Sequence, residues 1–379
     1  MVYLTVMQTP SYRQMTIEEF LFEAYNSSVV ISKNTTGTKT YEFSDDVSER
    51  FKSKIDVNAL IEHLRNFNKS TKLLRECNRQ ELYSTFFVPK KSGGLRRIDA
   101  PNPELMDALR RLKTIFEESF YALYHTSAFA YIKGRSTIDA VKRHQKNESK
   151  WFGKYDLSNF FGNTTLEFII NQLSMVFPFS EVLKTEEGQK ELRMAVDLAM
   201  LNGGLPQGTP ISPLITNVMM IPVDFKISKA LRSDEKQSYV YTRYADDFII
   251  SSKYGFDVQS IEKIIVGVLR DFNAPFTINP SKTRYGSSAG RNWNLGVMLN
   301  KDNDITIGHK KKKQFQCMLH NYILDRRNGI AWDKHDVQVL DGYCNYYKMV
   351  EREAIEGIIQ HIDKKMGVDV MMCIKEDLK

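Results

Sequence analysis

The sequence predicts an α+β fold with an antiparallel sheet packed on helices, and three observations support this prediction. Residues 82–101 contain two β-rich stretches joined by a glycine-containing turn, which is typical of an antiparallel hairpin. Residues 151–157 and 239–252 are further β-rich segments. Most of the remaining chain repeats apolar residues at helical spacing. The chain therefore mixes strands and helices along its length.

The composition is that of an ordinary globular protein: 379 residues, of which 42% are apolar and 26% charged, are enough for two or three structural units. A net charge of +7 permits nucleic-acid binding without demonstrating it. The four cysteines form no C-x-x-C pair, which argues against structural zinc and favours a reducing compartment. No apolar run approaches the roughly 18 residues of a membrane span, so we expect a cytoplasmic protein with no membrane contact.

The N-terminal part, residues 1–75, is predicted to be a mostly helical extension. Thr16 and Glu19 form a capping-box pattern ahead of apolar residues, and residues 57–67 repeat apolar side chains at helical spacing. This segment carries no visible chemistry.

The central part is predicted to alternate strands and helices. After the hairpin at residues 82–101, which is basic, the order is a helix, a strand, a helix, a turn-rich loop, a helix, two short strands and a helix. These elements are predicted at residues 103–124, 151–157, 181–201, 203–213, 214–231, 239–252 and 258–272. After Asn300 the chain changes to basic, amphipathic helices that continue to Lys379.

Two adjacent carboxylates, Asp246 and Asp247, lie in the strongly β-forming and apolar segment 240–250. An ionised aspartate is poorly accommodated there unless something compensates its charge, and a hairpin tip with a bound cation would do so. The best donor of a further carboxylate is Asp156, at the end of the predicted strand 151–157. Considered alone, the Asp246–Asp247 pair could equally be a solvated hairpin turn.

A few carboxylates, with the remaining positions left to water and substrate phosphate, are what Mg²⁺ prefers. Two such ions about 4 Å apart would activate an attacking hydroxyl and stabilise the leaving oxygen in phosphoryl transfer. The three aspartates therefore predict a polymerase-type site.

Tyr244-Ala-Asp-Asp247 resembles the signature of reverse transcriptases, and other segments resemble that family in the expected order. These are the basic hairpin, Asp156 to Phe161, the loop 205–213, the segment 279–283 with Lys282, and the turn 294–296. The resemblance covers roughly residues 82–300. It implies a right-hand polymerase with fingers (76–150), a palm (151–300, with part of the fingers inserted near 165–235) and a helical thumb (301–379) after the N-terminal extension (1–75).

The resemblance also implies residue roles. Asp156, Asp246 and Asp247, with the backbone carbonyl of Leu157, would hold two Mg²⁺ ions, for which Mn²⁺ could substitute. Lys282 would protonate or neutralise the departing pyrophosphate. The alternative for Lys282 is an ordinary loop residue after a turn.

A second group of residues would bind the incoming nucleotide. Basic side chains of the hairpin would contact its triphosphate, with one arginine facing away. Phe161 would be a steric gate that selects deoxynucleotides, or else a core aromatic. Gln207 would lie beside the nascent base pair, which the backbone of Gly208 would approach closely. The basic residues are Lys90, Lys91, Arg96 and Arg97.

A third group would contact nucleic acid. Leu295 and Gly296 resemble the primer-grip turn. The lysine run at the start of the thumb could follow a phosphate backbone, or be a solvated basic face. These lysines are Lys310, Lys311, Lys312 and Lys313.

The chain resembles compact prokaryotic enzymes. Residues 128–136 are similar to retron and group II intron-like enzymes, but residues 139–144 and 294–296 depart from the retron pattern, which favours the defence-associated abortive-infection and unknown-group enzymes. The predicted function is an RNA-directed DNA polymerase that uses deoxynucleotides to copy a companion non-coding RNA into DNA during anti-phage defence.

The open alternatives are a retron-type enzyme making a branched RNA–DNA, untemplated or protein-primed synthesis, an RNA-dependent RNA polymerase, and a non-catalytic RNA-binding module. Oligomerisation or an effector protein is also open.

Overall fold

The computed structural model describes residues 56–90, 93–119, 124–234, 236–288 and 296–379, together with the backbone of four short strands before residue 44. The strands, in chain order, are β1 (Tyr3–Leu4), β2 (Met15–Thr16), β3 (Val29–Lys33), β4 (Lys39–Phe43), β5 (Tyr83–Pro89), β6 (Leu95–Pro101), β7 (Trp151–Asp156), β8 (Val240–Tyr244), β9 (Asp247–Ser252), β10 (Arg284–Ser287), β11 (Met298–Leu299) and β12 (Ile305–Thr306).

A 3-10 turn covers Arg79–Leu82. The helices described are α1 (Val57–Ser70), α2 (Lys72–Glu76), α3 (Pro103–Ser119), α4 (Thr137–Lys146), α5 (Phe160–Asn163), α6 (Leu166–Leu173), α7 (Phe179–Val182), α8 (Glu186–Leu198), α9 (Ser212–Met219), α10 (Ile221–Arg232), α11 (Val258–Asp271), α12 (His309–Arg327), α13 (Lys334–Val350), α14 (Arg352–Met366) and α15 (Val370–Asp377).

Before residue 44, the described backbone of the N-terminal part consists of two antiparallel pairs, β1–β2 and β3–β4, which the sequence analysis did not predict. The β-branched and aromatic residues of β3 and β4 favour strands. Thr16 is the last residue of β2, and Glu19, the other half of the predicted capping box, lies outside the described residues. The mostly helical extension at residues 1–75 stays a prediction for the remainder of residues 1–55, which also lies outside the described part of the chain. The helical spacing at residues 57–67 is confirmed by α1, whose N-cap is Asp56.

The central sheet has four strands in the order β10-β7-β9-β8, and all neighbouring strands are antiparallel. Tyr155, Phe248 and Ile250 on one face are buried in the main core, which the central helices complete. The α+β prediction is thereby confirmed. The hairpin predicted at residues 82–101 is the separate pair β5–β6, which pairs Tyr83 with Pro101.

Two of the predicted long helices are each divided in two. The prediction at 214–231 corresponds to α9 and α10, and the second of these has a proline, Pro222, in its first turn. Proline lacks the amide that a continuous helix would require there, so a new helix starts instead. The prediction at 181–201 corresponds to α7 and α8, where Thr185 caps the new helix through the amide of Gly188.

The last four helices, α12 to α15, bury a cluster of their own that includes Phe315, Leu340 and Ile355. A third, smaller cluster joins α4 and the strands β11 and β12 to the sheet face opposite the main core. The described part of the chain has no helix that combines the length and the apolarity needed to cross a membrane.

His144 of α4 connects that helix to the sheet. Its ring is fully buried, and its nitrogens lie 2.6 Å from the Ser251 hydroxyl and 2.8 Å from the Thr242 hydroxyl. Burial, with a further contribution from Arg143, lowers the pKa of His144 to about 3. The ring is therefore neutral at ordinary pH and can both donate and accept. It fixes α4 across β8 and β9.

Candidate active site

The sheet brings Asp156 and Asp247 together. Asp156 is the last residue of β7 and Asp247 is the first of β9, and the two are direct partners in the antiparallel register. Partner residues project to the same face of a sheet, so the two carboxylates lie side by side. Tyr244, at the end of β8, is the other partner of Asp247.

Asp246 lies in the two-residue turn between β8 and β9. Ala245, which precedes it, has a φ of +56°, in the left-handed region. The Asp246 carbonyl accepts from the Leu157 amide at 3.1 Å, and the Asp156 carbonyl accepts from the Asn279 amide at 2.8 Å. The first of these bonds holds the turn against the end of β7, and the second holds the segment at Asn279 there, so the three predicted aspartates lie close together.

Two lysines neutralise part of this acidic cluster. Lys282 Nζ lies 2.8 and 3.0 Å from the carboxylate oxygens of Asp156, and Lys154 Nζ lies 2.7 Å from Asp247 Oδ2. The Lys282 side chain is 54% exposed whereas that of Asp156 is 6% exposed, so this lysine reaches the site from solvent. Sequence reasoning missed Lys154, although its position two residues before Asp156 in a strand places both on one face.

The pKa values show that negative charge is crowded here. Burial raises the pKa of Asp246 to about 6, and the charges of Asp247 and Asp156 contribute to the rise. Burial also raises the pKa of Asp247, although Lys154 opposes the shift. The pKa of Lys282 is raised, chiefly by its hydrogen bond to Asp156, so this lysine is protonated at neutral pH.

The donor set suits a hard divalent cation, because it offers carboxylate oxygens whose mutual repulsion a cation would relieve. In the described residues no three His, Cys, Asp or Glu side chains converge on a common metal position. Asp156 and Asp247 are instead turned to their lysines. A cation bound here would therefore compete with Lys282 and Lys154.

A buried ion pair supports the turn that carries Asp246. Arg243 and Asp224 both have fully buried side chains, and the guanidinium binds both carboxylate oxygens at 2.8 Å. The Tyr241 hydroxyl donates to the same carboxylate at 2.7 Å. Arg243 also donates to the Ala245 carbonyl at 3.3 Å and to the side chain of Asn217 at 3.2 Å. The turn that carries Asp246 thus rests on a fixed charge network.

The two hairpin arginines lie on opposite faces of β6, because alternate strand residues do so. Arg97 donates to Asp99 Oδ1 at 2.8 Å and shares its face with Thr85. Arg96 shares the other face with Ile98, which lies against the loop at Gly208. This alternation explains the prediction that one of the two arginines faces away. Arg97 is that arginine, because Asp99 holds it on the face of β6 opposite to Arg96.

The loop that carries Gln207 and Gly208 lies between the β5–β6 hairpin and α5. The Gln207 carbonyl accepts from the Asp99 amide at 2.8 Å, and the Phe161 carbonyl accepts from the Leu205 amide at 2.9 Å. Gly208 has a φ of +126°, and a Cβ there would lie 2.8 Å from the Asp99 carbonyl oxygen. This close approach to β6 requires glycine, and the approach of the Gly208 backbone to a nascent base pair stays a prediction.

The remaining residues that were predicted to bind nucleotide or nucleic acid do not share one environment. Phe161 is half-buried against the main core, and Lys90 is exposed. Lys91 and Leu295 lie outside the described residues. Gly296 is described, and its carbonyl accepts from Lys311 Nζ at 2.5 Å.

The lysine run at the start of α12 is not a uniform basic face. Lys312 pairs with Glu351 at 2.6 Å, and Lys311 is engaged by Gly296. Lys311 and Lys312 join α12 to neighbouring segments, whereas Lys310 and Lys313 are exposed. Nucleic-acid contact by these four lysines stays a prediction.

Comparison with known proteins places these features in a family. The profile described as reverse transcriptase (RNA-dependent DNA polymerase) matches residues 88–320, which is more than half of the chain.

Among curated proteins, the chain is 26% identical over 299 residues to retron Ec83 reverse transcriptase of Escherichia coli, covering 78% of this chain and 90% of that protein. It is 27% identical over 270 residues to retron Ec73 reverse transcriptase of the same organism, covering 70% and 82%. It is 27% identical over 299 residues to retron Mx65 reverse transcriptase of Myxococcus xanthus, covering 75% and 65%.

Among solved structures, two similar chains are telomerases. The apo telomerase of Candida tropicalis truncated from its C-terminal domain has a TM-score of 0.41 and 12% identity, covering 74% of this chain and 64% of that one. The telomerase of Candida albicans with a fragment of telomeric RNA has a TM-score of 0.42 and 9% identity, covering 95% and 72%.

Proposed function

The chain belongs to the reverse transcriptase family, and on that premise we propose that it copies one particular bound RNA into DNA. It is an RNA-directed DNA polymerase and therefore a nucleotidyltransferase. This family assignment and this activity confirm the prediction made from Tyr244–Asp247 and the ordered segments around it. The observation that carries the proposal is the register pairing of Asp156 with Asp247, beside Asp246, within the matched region.

Divalent metal ions are generally used by this family, and we propose two Mg²⁺ ions here, for which Mn²⁺ could substitute. Asp156, Asp246 and Asp247, with the Leu157 carbonyl, would hold them. When bound, the ions supply activation of the attacking 3′-hydroxyl and stabilisation of the leaving oxygen. Lys282, which is protonated and has a half-exposed side chain, would exchange Asp156 for the departing pyrophosphate and neutralise it.

The remaining site roles are proposals of the same kind. Arg96 and Lys90, with Lys91, would contact the triphosphate, and Arg97 would brace the hairpin through Asp99. Gln207 would lie beside the nascent base pair.

We also propose that the separate C-terminal cluster is the thumb, residues 301–379, after a palm at 151–300 that contains part of the fingers near 165–235. The fingers would cover residues 76–150, after the extension at residues 1–75. Exposed Lys310 and Lys313, together with Leu295 and Gly296, would contact the primer–template duplex.

The RNA partner is proposed to be a non-coding RNA, copied with deoxynucleotides in a cytoplasmic anti-phage defence. The departures at residues 139–144 and 294–296 favour this reading. The names of the curated relatives favour the alternative, a retron-type enzyme that makes a branched RNA–DNA. Both require a specific RNA, and an effector protein or a second copy could act with either.

Purification with bound nucleic acid tests the proposal. After addition of Mg²⁺ and labelled deoxynucleotides, we expect a DNA product complementary to one RNA that dominates the co-purified pool. Sequencing of both strands, before and after treatment with a debranching enzyme, measures the template and the linkage. A product that shifts on debranching would select the retron-type alternative.

Other outcomes of this assay would contradict the proposal. A product with no complementary RNA would indicate untemplated or protein-primed synthesis. Bound RNA without any incorporation of deoxynucleotides would indicate the RNA-binding module.

Replacing Phe161 with Ala is expected to weaken sugar discrimination by about 10- to 100-fold. A smaller side chain would leave room for the ribose 2′-hydroxyl that the aromatic ring would otherwise exclude. Single-nucleotide incorporation of dGTP and GTP on the same RNA template measures the ratio, and ribonucleotide preference in the wild type would indicate an RNA polymerase.

Phe161→Tyr is the matched control, because it keeps the ring and should keep the discrimination. The hydrogen bond to Leu205 uses the Phe161 carbonyl, so neither variant removes it. Unchanged discrimination in Phe161→Ala would show that this ring only packs against the core.

A further inference from the structure

Tyr131 is an exposed aromatic residue in a strained backbone conformation. Its φ is +58°, in the left-handed region that residues with side chains rarely adopt. Its side chain is also among the most exposed large apolar groups, at 57% of its full accessibility. The backbone at Tyr131 is therefore strained, and burial of the ring does not compensate for that strain. Backbone strain of this kind is concentrated at functional sites.

The loop before and after Tyr131 is rigidly held. The guanidinium of Arg135 donates to the carbonyls of His125 at 2.7 Å and Ala128 at 2.6 Å. The side chain of Asn217 donates to the Ala130 carbonyl at 2.6 Å. The position of Tyr131 is therefore imposed by buried polar contacts on its neighbours.

A second link connects this loop to the strand that leads into the acidic turn. The Arg243 amide donates to the Ser127 carbonyl at 2.6 Å, and the Arg243 carbonyl accepts from the Phe129 amide at 2.9 Å. Arg243 is the residue whose side chain binds Asp224 and the Ala245 carbonyl. The loop and the acidic turn are thus parts of one rigid assembly.

The ring of Tyr131 points toward the carboxylate site. Its centroid lies 6.5 Å from that of Tyr244, at an interplanar angle of 41°. Tyr244 is the register partner of Asp247, the first residue of β9. The exposed ring therefore lies beside the ends of the two strands that the acidic turn connects.

We propose that Tyr131 is a substrate-binding residue that packs against the base of the incoming nucleotide. The inference rests on the proposed function, in which Asp246 and Arg96 engage the metal-bound triphosphate of that nucleotide. A ring held beside Tyr244, the register partner of Asp247, would face the same ligand. Of the parts of a nucleotide, the base is the planar one that gains most from an exposed aromatic ring.

Steady-state incorporation of single deoxynucleotides by the full chain on an RNA template with a DNA primer tests the inference. Tyr131→Ala should raise KM for the deoxynucleotide about 10-fold, change kcat less than about 3-fold, and leave the Kd for primer–template unchanged. Tyr131→Phe should behave as the wild type, because the ring and not the hydroxyl makes the contact. Tyr254→Ala is the matched control, since Tyr254 is 60% exposed but follows β9 at the end away from the acidic turn.

Three results would overturn the inference. A fall in kcat with unchanged KM would show that Tyr131 only positions Tyr244 and the acidic turn. A weaker Kd for primer–template would place the contact on the nucleic-acid strand. A wild-type enzyme that incorporates deoxynucleotides, together with a Tyr131→Ala variant that has the same KM, would show that the ring contacts no substrate.

Equilibrium binding of a fluorescent deoxynucleotide in Mg²⁺ separates these results from failure of the proposed function. A wild-type protein that neither binds nor incorporates the nucleotide would overturn both. Wild-type binding that Tyr131→Ala weakens about 10-fold would support the inference even where the primer is not extended.

Discussion

Replacing Asp246 with Asn is expected to abolish DNA synthesis, by about 1,000-fold or more, while making the protein more stable. The activity falls because the neutral amide cannot support a divalent cation beside Asp156 and Asp247. The stability rises because Asp246 ionises in a site where burial and two neighbouring carboxylates oppose its charge. Primer extension and urea unfolding at pH 7 measure the two effects.

The sign of the stability change follows from the pKa. The folded-state pKa of Asp246, about 6, lies above the ordinary value of 3.8, so the folded state binds the proton more tightly. The contribution of this group to stability is therefore fully present below about pH 4 and is lost as the pH rises through about 6. At pH 7 the ionised carboxylate costs about 1–3 kcal/mol, which Asp246→Asn removes.

The control for this substitution is Asp107→Asn, an exposed carboxylate on α3 that pairs with Arg111 at the surface. It should change neither the activity nor the free energy of unfolding by more than about 0.5 kcal/mol. Substantial synthesis by Asp246→Asn would contradict the metal assignment. Lower stability at pH 7 would contradict the charge crowding inferred from the pKa of Asp246.

Replacing Arg243 with Met is expected to destabilise the fold by about 3–5 kcal/mol. The substitution leaves the fully buried carboxylate of Asp224 without its charged partner, although the Tyr241 hydroxyl still donates to it. The Ala245 carbonyl in the acidic turn also loses a donor. Denaturant unfolding of the full chain gives the free energy, and the activity should fall with it because the turn loses its support.

A double-mutant cycle separates the ion pair from packing. Arg243→Met combined with Asp224→Leu should lower the free energy of unfolding by much less than the sum of the two single changes. The double variant contains neither charge, so no buried charge is left without a partner. Arg352→Ala is the matched surface control, because Arg352 pairs with Glu356 in an exposed i,i+4 contact and should leave the free energy of unfolding nearly unchanged. Additive effects in the cycle would show that Arg243 and Asp224 act independently.

Several elements could be predicted from the sequence because their causes are local. The hairpin at residues 82–101 follows from β-rich segments around a glycine turn, and the pair β8–β9 follows from the apolar segment around Asp246 and Asp247. The family could be predicted because its motifs occur in a fixed order. The strands β3 and β4 were not predicted, although their β-branched and aromatic residues favour strands locally.

The face on which a residue lies, and its partners far away in the chain, could be identified only from the tertiary structure. The direction of Arg97 depends on Asp99 and Thr85, and the ion pair of Lys312 depends on Glu351, which lies 39 residues later. Likewise, Lys154 joins the site because of its diagonal contact with Asp247 on the neighbouring strand. Residue spacing along one segment does not specify these contacts.

Local sequence was enough to predict the class of chemistry, because three aspartates stand in the order of a polymerase motif, and the matching family confirms an RNA-directed DNA polymerase. Hydrophobic period and turn residues were likewise enough to predict most of the strands and helices in the described residues. The tertiary structure was needed to show which charges are paired, which arginine lies on the side of the loop at Gly208, and that Tyr131 lies beside the acidic turn. These depend on contacts between residues far apart in the chain, and burial then sets the pKa values that local sequence cannot encode.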